Sequence, residues 1–246
     1  MSWNFNDVGA WELGGLSINS TELTIAAWLK NVSGGGSEDL VLISDSADNF
    51  PKALLNIYHG GFRCTATWTH TTVDVITLNS NNVSGYQWHL CLISISATGP
   101  TATSRADGGV AATGTPLTGW PGAVMNRLRW GMGAAADAYY RDRSAHLAVW
   151  NKALSGTERD ALWNGGAGGA GANPTAVAAA NLLYYWYDSP TAHVGSGTLT
   201  AVGTTPTWDA ADNPNVDAPS AGSPSILLTQ VERGRTLCRG LGRGIA

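Results

Sequence analysis

The stretch Ser144–Gly165, SAHLAVWNKALSGTERDALWNG, decides the fold. Ala145, Leu147 and Val149 alternate with His146, Ala148 and Trp150, and nearly all are apolar. Such a run reads as a strand covered on both faces, as inside a two-layer sandwich. Ser155 and Glu158 then stand in the S-x-x-E spacing of a capping box. The Ser side chain accepts from the backbone N–H three residues on, and the Glu reaches back to the Ser N–H. Gly165 and Gly166 supply a left-handed stop, which predicts a helix of about two turns over Ser155–Asn164.

Working outward, strand-like runs recur at short intervals between turn signals. They are Leu23–Leu29, Leu40–Ser44, Ala53–Tyr58, Phe62–Thr69, Val73–Leu78, Trp88–Ser96, Thr101–Arg105, Val110–Thr113, Leu128–Gly131, Ser144–Trp150 and Leu182–Tyr187. Gly34-Gly35-Gly36, His59-Gly60-Gly61 and Asp107-Gly108-Gly109 punctuate them, and a further turn is expected near Thr175–Ala180. This spacing predicts an all-β protein: a two-sheet antiparallel sandwich with one short helix. Charged residues make up 13% of the chain, about half the usual share. Eleven Trp provide rigid apolar volume for a core between two sheets. From Asn213 onward Pro214, Pro219 and Pro224 interrupt a polar stretch, and the last residues read RGRTLCRGLGRGIA. The expected organisation is therefore a domain over 1–213 and an extended C-terminal arm over 214–246.

The net charge of −4 is uneven. Arg233, Arg235, Arg239 and Arg243 all follow Glu232, the last acid, so residues 1–232 carry a charge of −8. An acidic body speaks against nucleic-acid binding. The arm's guanidinium groups suit carboxylates on the body of a second copy, which makes those four arginines candidate assembly contacts. Cys64, Cys91 and Cys238 are scattered and odd in number, which excludes a disulfide framework. Neither a Sec-type leader nor a membrane-length apolar run is visible, so the expectation is a protein made in a cytoplasm that stays soluble there or leaves without a Sec signal.

Four segments, in this order, resemble the laminin G-like or concanavalin A-like lectin/glucanase jelly roll. They are LTIAAWLK (Leu23–Lys30), YQWHLCLIS (Tyr86–Ser94), SRADGGVAATGT (Ser104–Thr115), and the late strand with its N-x-A-L-S-x-x-E corner. NLLYYWYD (Asn181–Asp188) followed by GTLTAVGTTPTWDAADNP (Gly197–Pro214) is similar to the ending of such domains in proteins encoded by tailed phages. The resemblance implies a jelly roll. Its members bind carbohydrate, bind calcium, hydrolyse glucans or act as structural modules, so fold does not decide function. The role it implies is a non-enzymatic structural component of a virion, in head decoration or tail, with the arm contacting neighbouring virion proteins. The alternative is a lectin-like module that recognises host-surface glycans.

Glucan hydrolysis in this family would need paired acids at E-x-D-x-x-E spacing, and the one Glu-x-Asp pair here, Glu158 and Asp160, has Trp163 where the second Glu would stand. G-x-S-x-G elbows, H-E-x-x-H helices and P-loops are also missing, so no enzyme is expected. Asp45, Asp48 and Asn49 offer three oxygen-bearing side chains within five residues, a candidate calcium loop or an Asx-rich turn before Pro51. Asp209, Asp212 and Asn213 form a similar cluster. For carbohydrate the candidates are aromatics that could stack on a sugar: Trp68 with His70, Trp120 in the T-G-W-P turn, and Tyr139 and Tyr140. Strand packing, a loop anchor and an edge pair are their competing explanations.

Overall fold

Strands that are apolar on both faces need two covers, and this chain supplies both. The computed structural model describes residues 2–5, 9–18, 21–30, 37–45, 52–58, 63–69, 75–80, 87–96, 101–115, 125–132, 140–164, 171–187, 189–209, 211–212 and 214. One sheet runs in the order β10 (Ala112–Gly114), β9 (Thr101–Ala106), β8 (Trp88–Ser96), β3 (Glu22–Lys30), β12 (Arg143–Trp150), β1 (Ser2–Asn4) and β15 (Thr207–Asp209), and β13 (Leu182–Trp186) also pairs with β12. The other runs β14 (Thr200–Gly203), β2 (Gly9–Ile18), β11 (Met125–Trp130), β4 (Ser37–Ser44), β5 (Lys52–Tyr58), β6 (Arg63–Thr69) and β7 (Val75–Asn79). The pairings between these strands are antiparallel. The expected all-β sandwich with one short helix is what forms.

Between the sheets lies a core of inward residues, among them Leu23, Ile25, Ala27 and Leu29 from β3, Cys91, Ile93 and Ile95 from β8, and Leu147 and Val149 from β12. Trp11, Trp68, Met125, Leu128 and Trp130 face them from the second sheet. The opposite faces of β3, β8 and β12 carry Ala26, Trp28, Trp88, Leu90, Leu92, Ala145, Ala148 and Trp150, and these form a second buried cluster. The corner residue Leu154, helix α1 (Gly156–Trp163) with Leu162, and the segment after it with Val177, Leu182 and Tyr185 close that cluster. Trp163 stacks on Trp28 with ring centroids 5.8 Å apart, and the Trp150 indole donates to the Val177 carbonyl at 3.0 Å. Gly171 lies so close to Trp28 that an added Cβ would stand 2.4 Å from the ring. Only a residue without a Cβ fits there.

The strand, the corner and the capping box form as their spacing predicts, whereas the left-handed stop expected from Gly165 and Gly166, which lie outside the described residues, falls on Asn164. Ser155 accepts from the Glu158 N–H, Glu158 accepts from the Ser155 N–H, and Asn164 ends the helix in the left-handed region. Two 3-10 turns, Pro174–Ala176 and Ala179–Asn181, occupy the turn region expected near Thr175–Ala180. Four strands were not foreseen: β1, β2, β14 and β15. In β2 the pair Gly14-Gly15 breaks the alternation, with Gly15 at φ +73, and the pairing with β11 shifts register between Met125 and Arg127. A bulge of this kind hides a strand from a period-two reading.

A second bulge sits in β12. The four residues Ala145 to Ala148 oppose the three from Trp28 to Ala26. The extra residue is His146, at φ +53, a backbone region that side chains with a Cβ rarely adopt. Its ring is 2% exposed, and Nδ1 lies 2.6 Å from the Tyr185 hydroxyl. Burial holds the His146 imidazole down at about 3.

Two outcomes follow from this packing. Leu162→Ala removes the helix's buried anchor and is expected to cost about 2–4 kcal/mol in urea unfolding; a loss under about 0.5 kcal/mol would show that the second cluster does not hold the helix. For His146 the unfolded chain takes up a proton near pH 6.5 while the folded chain stays neutral down to about 3. Stability should therefore fall as pH drops from about 6.5 toward 4.5, by up to about 1.4 kcal/mol per pH unit. In His146→Gln that slope should flatten.

Candidate functional site

Strand periodicity places Trp88, Leu90, Leu92, Ser94 and Ser96 on one face of β8, where large apolar groups give way to serines. The same switch occurs on β3, where Trp28 and Ala26 precede Thr24 and Glu22 along the outer face. Register then aligns the polar ends. Thr24 pairs with Ser94, Ser94 with Thr103 and Thr103 with Thr113, so four hydroxyls form one row across β3, β8, β9 and β10. Glu22 and Ser96 pair in the next row.

This polar end is walled by the corner and by the first turn of α1. The result is a cleft of about 330 Å³ lined by Glu22, Ser94, Ser96, Thr103, Thr113, Ser155 and Arg159, with Ala153 and Leu154 at the corner. Its hydrogen bonds fasten the walls together. The Ser96 hydroxyl donates to Glu22 Oε1 at 2.9 Å, and the Ala153 N–H donates to Glu22 Oε2 at 3.2 Å. The Thr24 hydroxyl donates to the Lys152 carbonyl at 2.6 Å and accepts from the Leu154 N–H at 3.1 Å. Ser94 and Thr103 share a hydrogen bond of 2.5 Å. Arg159 reaches across from the helix, its NH1 donating to the Thr103 hydroxyl at 3.2 Å. Arg105, the next residue on the same face of β9, is ion-paired to Asp160 at 2.6 Å. Burial pushes the Arg159 guanidinium below its ordinary value; the Arg105 charge acts in the same direction and Asp160 opposes it.

The aromatics singled out for sugar stacking lie elsewhere. Trp68 is fully buried in the inter-sheet core and presents no ring face to solvent. Tyr140 is also fully buried, packs on Phe5, and donates its hydroxyl to the Arg143 carbonyl. In a two-sheet core these rings fill volume, which corrects their reading as binding platforms. Trp120, Tyr139, His70 and the arm residues Arg233, Arg235, Arg239 and Arg243 lie outside the described residues. Of the calcium candidates, Asp45 is half-buried at the end of β4, while Asp48 and Asn49 are outside the described residues. The described residues contain no group of three or more His, Cys, Asp or Glu able to hold a metal.

Asp209 and Asp212 serve as anchors, not as the ion loop their spacing suggests. Asp212 accepts from Lys30 Nζ at 2.8 and 3.0 Å, from the Trp88 indole at 3.0 Å, and from Arg143 NH1. Asp209 ion-pairs with Arg143 at 3.0 Å, and the Ser2 hydroxyl donates to the Asp212 carbonyl. Partial burial pushes the Asp212 carboxyl up, but the bonds from Lys30 and Trp88 and the charges of Lys30 and Arg143 outweigh it, leaving it below the ordinary Asp value. The outer face of the second sheet is polar as well. Its groups pair with one another: Arg129 Nε donates to Glu12 at 2.9 Å and the Thr65 hydroxyl donates to Asn79 at 2.8 Å.

Sequence reasoning missed the cleft, because no single segment holds it. The readable signal was the apolar-to-hydroxyl switch along Trp88–Ser96; the row itself needs cross-strand register.

No family model matches this chain, and no curated protein matches it in sequence. Solved structures do. A heptameric SAP-like pentraxin from Limulus polyphemus superposes with a TM-score of 0.55 at 12% identity, over 66% of this chain and 81% of that one. A Bacteroides ovatus protein provisionally described as carbohydrate-binding superposes with a TM-score of 0.55 at 10% identity, over 84% of this chain. The match spans 58% of that longer protein. At such identities the likeness establishes the fold alone, a two-sheet jelly-roll sandwich.

The Asp212 anchor makes an acid-stability outcome testable. Its carboxyl titrates lower folded than unfolded, so its contribution is full above about pH 4 and is lost as pH falls further. Asp212→Asn should lower the melting temperature at pH 7 and lose less than wild type between pH 4 and 2.5; parallel curves for both proteins would contradict the anchor's role.

Proposed function

We propose that this chain is a non-enzymatic glycan-binding module whose ligand lies in the hydroxyl-lined cleft between the outer face of the β3–β8–β9 sheet and helix α1. The observation that carries this reading is the convergence of Ser94, Ser96, Thr103, Thr113 and Ser155 with Glu22 and Arg159 on one cleft of about 330 Å³. Saccharides present vicinal hydroxyls that both donate and accept. A wall of hydroxyls flanked by a carboxylate acceptor and a guanidinium donor matches that alternation. The volume suits one or two sugar rings. Among the described lining residues Glu22 is the carboxylate, whereas general glycosidase chemistry takes two flanking acids. That supports binding over hydrolysis.

The pentraxin and the Bacteroides protein contribute the fold to this reading, and the cleft contributes the ligand chemistry. The virion role expected from the arm finds no support in the described residues or in these likenesses, and neither does the narrower tailed-phage resemblance. Carriage of the module on a particle would be compatible with the glycan reading and would be tested separately.

A glycan array followed by calorimetry tests the proposal. Thr113→Val swaps one lining hydroxyl for a methyl on an exposed strand, and should weaken a detected glycan about fivefold. Glu22→Gln should weaken it at least as much. Binding that survives both substitutions unchanged places the ligand elsewhere, and an array blank at millimolar glycan rejects the module reading.

A further inference from the structure

Resting on the cleft as a glycan site, its charges say which glycans fit. Arg159 holds one nitrogen, NH1, on Thr103, and it makes no ion pair among the described residues. Its Nε is buried without a partner, and NH2 has no hydrogen bond among the described residues. Both acids next to it in sequence are committed elsewhere: Asp160, itself two-thirds exposed, to Arg105, and Glu158 to Lys152 and the Ser155 N–H. Two guanidinium groups therefore stand beside one committed carboxylate, and burial and the Arg105 charge both disfavour the lone cation. A half-buried guanidinium in this position is completed by an anion that brings two acceptor oxygens.

Glu22 is the obvious rival for that part and is placed out of reach. Both of its oxygens accept from elsewhere, one from Ser96 and one from the Ala153 N–H. It also stands two strands and one same-face step from Thr103, where Arg159 is bound. Strand spacing puts those two backbone positions about 12 Å apart. The cleft is thus polarised: an acceptor carboxylate at the β3 end, a donor guanidinium at the β9 end, and a hydroxyl row between them.

We infer that the cleft selects acidic saccharides, binding a sugar carboxylate at Arg159 while the ring hydroxyls engage Ser94, Thr113 and Glu22. A neutral sugar would satisfy the hydroxyl row and leave Arg159 uncompensated. The ligand class is a carboxylate-bearing sugar, a uronate or a nonulosonate, and its direction in the cleft is set by the two charged ends.

The test uses the full chain and a panel of uronate and sialyl oligosaccharides, each alongside its carboxyl methyl ester. Titration calorimetry at 50 and 300 mM NaCl should give at least one acidic member bound about tenfold or more tightly than its ester. That preference should shrink at the higher salt, as expected of an ion pair. Arg159→Gln should weaken the acid far more than the ester, so that the two bind equally, and Arg159→Lys should restore part of the preference. Melting curves confirm that both variants fold. Equal affinity for acids and esters in wild type overturns the acidic selectivity and leaves the glycan module standing. So does a preference that persists in Arg159→Gln, because the carboxylate is then read elsewhere. Failure of every acid and ester on the panel, joined to a blank neutral array, overturns both readings.

Discussion

Double-sided burial of the strands β3, β8 and β12 is the constraint on which the rest of this structure depends. Their inner faces meet the second sheet, as in any sandwich, but their outer faces also carry Trp28, Trp88, Leu90, Leu92 and Trp150. Exposed, those residues would form an apolar patch far larger than soluble surfaces tolerate. The chain therefore cannot end at the last strand of a plain sandwich. It must bring a third layer over this sheet, and the segment that leaves β12 does so within a few residues. The capping box starts the helix where the Asn151–Leu154 corner ends, and Trp163 lands on Trp28.

The cover is shorter than the sheet. An eight-residue helix spans about 12 Å, enough to roof the apolar end of the outer face but not its hydroxyl end. Where the roof stops, Ser94, Thr103 and Thr113 are left lining an open cleft with the helix's first turn as its far wall. Stability and ligand chemistry are thereby joined in one element: Leu162 and Trp163 hold α1 down, and Arg159 on the same helix points to the Thr103 row. The Glu22 carboxylate plays a similar double part, since it ties the corner to β3 through the Ala153 N–H while lining the cleft.

Much of the scaffold was legible in the sequence. The Ser144–Trp150 strand, the corner and the capped helix all follow from local spacing, because capping and alternation are satisfied within a few residues. Strands β1, β2, β14 and β15 escaped for physical reasons. Two have three residues, too few for a period to show, and β2 is bent at Gly14-Gly15. The site was less legible still. Aromatics such as Trp68 and Tyr140 advertise sugar stacking by residue type, yet a core between two sheets takes them first because ring burial is favourable wherever it is available. Asp209 and Asp212 read as an oxygen cluster for a metal, yet Lys30, Trp88 and Arg143 reach them from three other strands. Polar pairing to Asp212 across sequence separations of 69 to 182 residues has no local signature.

The hydroxyl row makes the same point from the other direction. Thr24, Ser94, Thr103 and Thr113 are unremarkable one at a time, and each has ordinary reasons to sit in a strand. They become a surface because the antiparallel pairings bring them into line across four strands, and a slip of one residue in any pairing would turn one strand's hydroxyls into the core. The inner faces forbid that slip: Ile93 and Ile95 on β8 and Ala102 and Ala106 on β9 are fully buried between the sheets. The apolar core thus specifies the register, and the register specifies the polar row. On this protein the recognition surface is the outward consequence of how the inside is packed.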